Sequence, residues 1–206
     1  MNIFLGFDPG GSGKFGWCVS TGDSDLPLSV RASGHASNAL DAITRVEKHL
    51  YEGENVAGAG IDAPLAWPWT GGRNCDASLR TVLRDRGAPS PSGSVQHVNS
   101  LRGACAVQGV LLAVRLQESF QGIRVTESHP KAFLWITETD DAGKRDLERY
   151  ISGTDQLSEH RRDSAIASLS AWAGVEEAEG WQDLTGLDPD CYSPVPGTSY
   201  WMPQWA

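Results

Sequence analysis

The chain opens on an apolar run, Ile3 to Phe7, that ends in a carboxylate, Asp8, and passes through three glycines and Lys14 into a second apolar run at Phe15 to Ser20, which carries a fourth glycine, Gly16. This start allows few folds. Gly11, Gly13 and Gly16 satisfy G-x-G-x-x-G literally, but the dinucleotide fingerprint needs a helix beginning there to face a pyrophosphate. Phe15-Gly16-Trp17-Cys18-Val19-Ser20 reads as a strand instead. A Walker loop also fails, because Asp8 stands where its first glycine belongs and Phe15 follows Lys14 where Ser or Thr is required. The glycines therefore predict a hairpin turn between two strands, where positive φ is needed.

The rest of the chain repeats the pattern of an apolar strand closed by an acid. Leu28 to Gly34 predicts a third strand, Val56 to Ile61 a fourth ending at Asp62, and Ile123 to Thr126 a fifth ending at Glu127. Helices are expected over 38–51 (Ala39, Ile43, Val46 and Leu50 inward), 73–86 and 100–118 (Ala104, Val107, Leu111 and Val114 inward). Further helical segments are expected around 132–136 and 144–151, and a last helix over 159–173, with Asp163 near its start and Ile166, Leu169 and Ala173 on one face. Residues 63–69 form a proline-broken loop, and the Pro/Gly/Ser loop at 87–93 should be mobile. Three early strands followed by alternating helices and strands predict a mixed α/β sheet covered on both faces.

At 206 residues the chain can bury roughly two thirds of its unfolded surface, enough for one domain with an extension. The domain is expected over 1–173, followed by an acidic, aromatic-rich C-terminal extension, 174–206, packed on it as an irregular segment. No run reaches transmembrane length and the apolar start lacks a basic flank, so no membrane is expected and the location should be cytoplasmic. Cys18, Cys75, Cys105 and Cys191 are scattered without a C-x-x-C pair, which speaks against zinc and disulfide frameworks. The net charge of -9 opposes general affinity for nucleic acid. Six acids and no bases lie beyond Ala173, however, so the preceding part carries 20 acids against all 17 bases and leaves room for basic patches.

Carboxyl ends of neighbouring strands are where α/β sheets gather ligands. Asp8, Asp62 and Glu127 at three such ends, with Asp163 from a helix, would repel one another unless a cation sat between them. Mg²⁺ or Mn²⁺ suits an all-oxygen set that keeps positions open for a phosphate. Each acid taken singly also has a structural reading as a turn or helix-start residue.

The ordered motifs Gly6-Phe7-Asp8, Gly60-Ile61-Asp62-Ala63-Pro64-Leu65 with Trp67-Pro68, Glu127-Ser128-His129-Pro130 and Arg162-Asp163-Ser164-Ala165-Ile166-Ala167-Ser168-Leu169 resemble a known family. It is the group of predicted ribonuclease-H-like nucleases catalogued as a domain of unknown function, DUF429. The likeness runs from about Asn2 to Ala173 and takes in Cys75-Asp76 with Arg80. It implies the ribonuclease-H-like fold and a metal site of Asp8, Asp62 and Asp163, with Glu127 as an additional ligand. One departure stands out: Asp163 follows Arg161 and Arg162, where relatives often carry adjacent acids, which bears on a second metal.

Lys14 lies near Asp8 in sequence, and Arg73, Arg80 and Arg84 are spaced to share a helix face, so all four are candidates for phosphate contacts or for ordinary solvated positions. His129 suits proton transfer or a strand-to-helix junction, Trp67 and Trp69 suit base stacking or packing, and Asn99 or Ser100 reads as a helix cap. The expected function is a divalent-metal nuclease acting on DNA or RNA, of unspecified oligomeric state. Two rivals remain: an actin-like phosphotransferase, which normally needs two such lobes, and a binding module that keeps the fold without catalysis.

Overall fold

The computed structural model describes residues 1–10, 13–68, 72–95, 103–137 and 147–205. Gly11, Trp69, the expected helix entrance at 99–102 and the start of the expected helix at 144–151 lie outside them.

β1 (Asn2–Asp8) and β2 (Phe15–Gly22) form the expected antiparallel hairpin, with Asp8 opposite Gly16 and Gly13 at φ 74° in the turn. β3 (Leu28–Ala36) continues the meander antiparallel to β2. The chain then crosses through α1 (Ala39–Glu47) to β4 (Asn55–Ile61), which lies parallel to β1 on its other side. Asn38 caps α1 by accepting a hydrogen bond from the Asp41 amide, and the helix stops at Glu47, short of the expected Tyr51, although Leu50 still packs on the core. After α2 (Asn74–Asp85), α3 (Pro91–Ser94) and α4 (Gly103–Ser119), β5 (Arg124–Glu127) adds parallel to β4. The central order β3-β2-β1-β4-β5 within a mixed sheet flanked by helices is compatible with a ribonuclease-H-like fold.

Both edges carry more than the sequence suggests. Past α5 (Pro130–Ile136), a 3-10 turn at Leu147–Arg149 leads to the two-residue β6 (Ile151–Ser152), which pairs with β3 where helix was expected. After α6 (Glu159–Glu176), β7 (Trp181–Asp183) and β8 (Ser199–Pro203) extend the sheet, β8 parallel to β5. The C-terminal segment is thus strand-bearing rather than irregular, because Trp181, Tyr200 and Met202 bury their side chains in the core.

The sheet separates two cores. Ile3, Leu5, Phe7 and Ile61 face α1 and α4, whereas Phe4 and Cys18 face α2, α5 and α6 with the C-terminal strands. Helix α6 is surrounded rather than one-faced, since every residue from Asp163 to Gly174 is buried. Glycine makes this possible: a Cβ on Gly6 or Gly60 would collide with the carbonyl oxygen of Ser164 or Ala167, so α6 lies directly on the sheet.

Helix α4 inverts its expected face. Val107 and Leu111 are more than half exposed and Val114 is exposed, while Leu112, Ala113 and Leu116 are buried. The helix is apolar on several sides, so spacing alone did not identify which stripe meets the sheet. The loop expected at 87–93 contains the start of α3, whose Pro91 stands in the first turn, where a missing N–H costs nothing. None of the helices among the described residues is long and apolar enough to cross a membrane.

Candidate metal centre

Asp8 leaves the end of β1 and Asp62 the end of β4, and the Asp62 amide donates to the Phe7 carbonyl oxygen at 2.9 Å, extending the ladder by one bond beyond β4. Asp163, in the second turn of α6, reaches the same end of the sheet because Gly6 lets the helix settle there. The three aspartates line one pocket of about 160 Å³, room for ions and several waters. Its walls include Ala63, Pro64, Gly93, Ser94 and Cys105, and its polar rim is His129, Lys131, Glu159 and His160.

The electrostatics show what this arrangement lacks. Burial lifts Asp8 from 3.8 to about 6, and the charge of Asp163 adds to the rise although His160 opposes it. Burial also raises Asp62, with Asp8 and Asp163 pushing in the same direction against His129 and Lys131. Asp163 is raised by burial too, and an Arg162 ion pair at 2.9 Å offsets part of that. Three carboxylates that repel one another in a pocket resist ionisation, and a divalent cation removes that resistance. Hard oxygen donors with room for water fit Mg²⁺ or Mn²⁺.

Glu127 lies next to this pocket rather than in it. Its carboxylate faces Arg73 across two hydrogen bonds of 2.6 and 2.7 Å, accepts from the Leu65 amide at 2.9 Å and meets His129 Nε2 at 3.1 Å. Burial would raise Glu127, but the charge and hydrogen bonds of Arg73, helped by His129, hold it down at about 2. Arg73 also chelates Asp76 at 2.8 and 2.9 Å and is buried at the entrance of α2. It is therefore no phosphate ligand on an exposed face. All its donors are used within the protein, the last on the Ala66 carbonyl oxygen.

Ligand atoms of Asp76, Glu127 and His129 lie within 4.8 Å of one another, a buried acidic and histidine cluster that could hold a metal ion. The guanidinium of Arg73 already supplies a cation to both carboxylates. At the three aspartates the compensation is partial: Arg162 pairs with Asp163 and His160 meets Asp8, yet all three remain raised.

His129 links the two clusters, with Nδ1 3.7 Å from Asp62 Oδ1. Burial would lower it, but Glu127, Asp62 and Asp76 together raise it. The other expected phosphate contacts are spread out. Lys14 is exposed at the hairpin, Arg80 donates to the Val95 carbonyl oxygen, and Arg84 is exposed on α2, none of them lining the pocket. Trp67 pairs through its backbone with Tyr192 instead.

Sequence reading missed Lys131 and His160. Lys131 sits at the pocket with Glu159 3.3 Å away, and His160 Nδ1 lies 2.6 Å from Asp8 Oδ2. The spacing of His160 and Asp163, three apart on one helix, was a usable signal.

The family model described as "Protein of unknown function (DUF429)" matches residues 6–180, and the chain belongs to that family. No curated protein and no solved structure matched it.

Proposed function

We propose that this DUF429 member is a divalent-metal-dependent nuclease that hydrolyses phosphodiester bonds of DNA or RNA. One observation carries the reading: Asp8, Asp62 and Asp163 share a pocket at the carboxyl ends of parallel strands, each raised by burial, with Asp8 and Asp62 raised further by neighbouring carboxylates. These three residues would hold Mg²⁺ or Mn²⁺. Such an ion, when bound, activates water and stabilises the leaving oxygen of an in-line displacement.

The chain's own groups supply the rest. Lys131 places a positive charge at the pocket, where it offsets the charge of an incoming phosphate. His129, held by Glu127, sets an imidazole beside Asp62, and the surrounding carboxylates raise its affinity for a proton. Ala63 and Pro64 give the pocket an apolar wall that limits bulk water. Arg73, Asp76 and Glu127 form the rigid support behind His129 rather than contacting substrate.

The Arg162 ion pair on Asp163 favours the binding-module reading as the second one, because it already occupies one oxygen of a would-be metal ligand. Cleavage of labelled single-stranded, duplex and branched DNA and RNA in Mg²⁺ and Mn²⁺, with Asp8→Asn purified in parallel, separates the two. Cleavage by the native protein alone supports the nuclease. Equal cleavage by both proteins, or by neither, overturns it.

A further inference from the structure

His160 has no role in the reading above, yet it makes one of the shortest side-chain contacts at the pocket, Nδ1 to Asp8 Oδ2 at 2.6 Å. The fold goes to some length to place it. Gly16, which pairs with Asp8 across the hairpin, carries no Cβ, and one there would strike the His160 carbonyl oxygen. The first turn of α6 can therefore lie against the strand pair that bears Asp8. On the other side the imidazole meets the edge of His35 at 6.2 Å and 80°, and His35 Nε2 is tied to Ser158 Oγ at 3.0 Å. The ring is thus set between Asp8 and a second, anchored imidazole.

We propose that His160 is a positioning residue for Asp8, donating from Nδ1 to Oδ2 so that Oδ1 serves the cation, and is not itself a metal ligand. The inference rests on the metal site proposed above. An ionised carboxylate only accepts hydrogen bonds, so the Nδ1 facing it carries the proton and has no lone pair to give a metal, and ligation through Nε2 is the alternative that comparing different ions separates. Groups that orient a ligating side chain in this way are worth roughly 10–100-fold in metal affinity. The effect acts through Asp8 and so is the same for every divalent ion, whereas a lost nitrogen ligand would weaken Mn²⁺ and Co²⁺ far more than Mg²⁺.

The test is calorimetric titration of Mg²⁺, Mn²⁺ and Co²⁺ into the full chain and its His160→Ala, His160→Asn and His160→Gln variants, with thermal unfolding in chelator as a control for folding. His160→Ala should weaken all three ions by a common factor of about 10–100. His160→Asn, whose amide nitrogen stands where Nδ1 stood, should return to within a few-fold of native, and His160→Gln, one methylene longer, should not. Unchanged affinity in His160→Ala, a loss confined to Mn²⁺ and Co²⁺, or Asn no better than Ala each overturns the positioning role and leaves the metal site standing. A native protein that binds none of the ions overturns both.

Discussion

Arg73 and Glu127 are each other's partner: the guanidinium at the entrance of α2 and the carboxylate at the end of β5 meet through two hydrogen bonds of 2.6 and 2.7 Å, both groups buried. Asp76 completes the cluster from the first turn of α2. Removing one member leaves buried charge without a counter-ion, a far larger effect than removing a surface charge.

Arg73→Ala should therefore cost about 3–5 kcal/mol in denaturant unfolding, whereas Arg84→Ala, on the exposed side of the same helix, should stay within about 0.5 kcal/mol. Equal small effects would show that the cluster is open to solvent.

Asp8→Asn should stabilise the metal-free protein by roughly 1–3 kcal/mol, because it removes a carboxylate that burial and Asp163 make hard to ionise. The same variant should lose the rise in melting temperature that Mn²⁺ produces in the native chain. Unfolding in chelator and in Mn²⁺ reads both, and a variant less stable than native in chelator contradicts the repulsive site.

The pH dependence has two limbs with opposite signs. Asp8 is raised from 3.8 to about 6, so its contribution to metal-free stability is present below about 3.8 and lost as pH rises through 6. Glu127 is depressed from 4.5 to about 2, so its contribution is present above 4.5 and lost as pH falls toward 2. Protons also compete with the ion at Asp8. Mn²⁺ affinity should fall by about tenfold per pH unit below 6, measurable by titration between pH 5 and 7.5.

Leu112→Ala should cost about 2–5 kcal/mol, while Leu111→Lys, one position away, should change stability by less than about 0.5 kcal/mol. Thermal and denaturant unfolding of both variants checks which face of α4 meets the sheet. The expected outcome follows from the exposure of Leu111 at 53% against a fully buried Leu112.

Local pattern was enough to locate the strands that matter and the acids at their ends. Alternation and apolar runs marked β1, β2, β3, β4 and β5, since a strand's periodicity and its turn residues are properties of neighbouring positions. Asp8 and Asp62 were legible because each closes such a strand, and Asp163 because it lies near the start of the last helix. Pattern misled where an element was apolar on more than one side. In α4 the stripe of Val107, Leu111 and Val114 was as good a candidate as the true one, and only the sheet below chose Leu112 and Leu116. The strands at β7 and β8 escaped notice because they are short, β7 pairing with β8 and β8 in turn with β5, more than seventy residues away from it in sequence.

What the sequence determined by itself was the hairpin, the order of helices and strands, and three carboxylates at the edge of an α/β sheet. What only the tertiary structure decided was the partner of each charge. Glu127 ends its strand as Asp8 and Asp62 border theirs, and nothing local separates them. Yet Arg73, 54 positions earlier, neutralises the first, while the other two are left in the pocket with Asp163. His160 likewise reaches Asp8 across 152 positions because Gly16 admits the helix. Ionic pairing depends on distance in space and on shared burial. Neither is a property of residues adjacent in the chain.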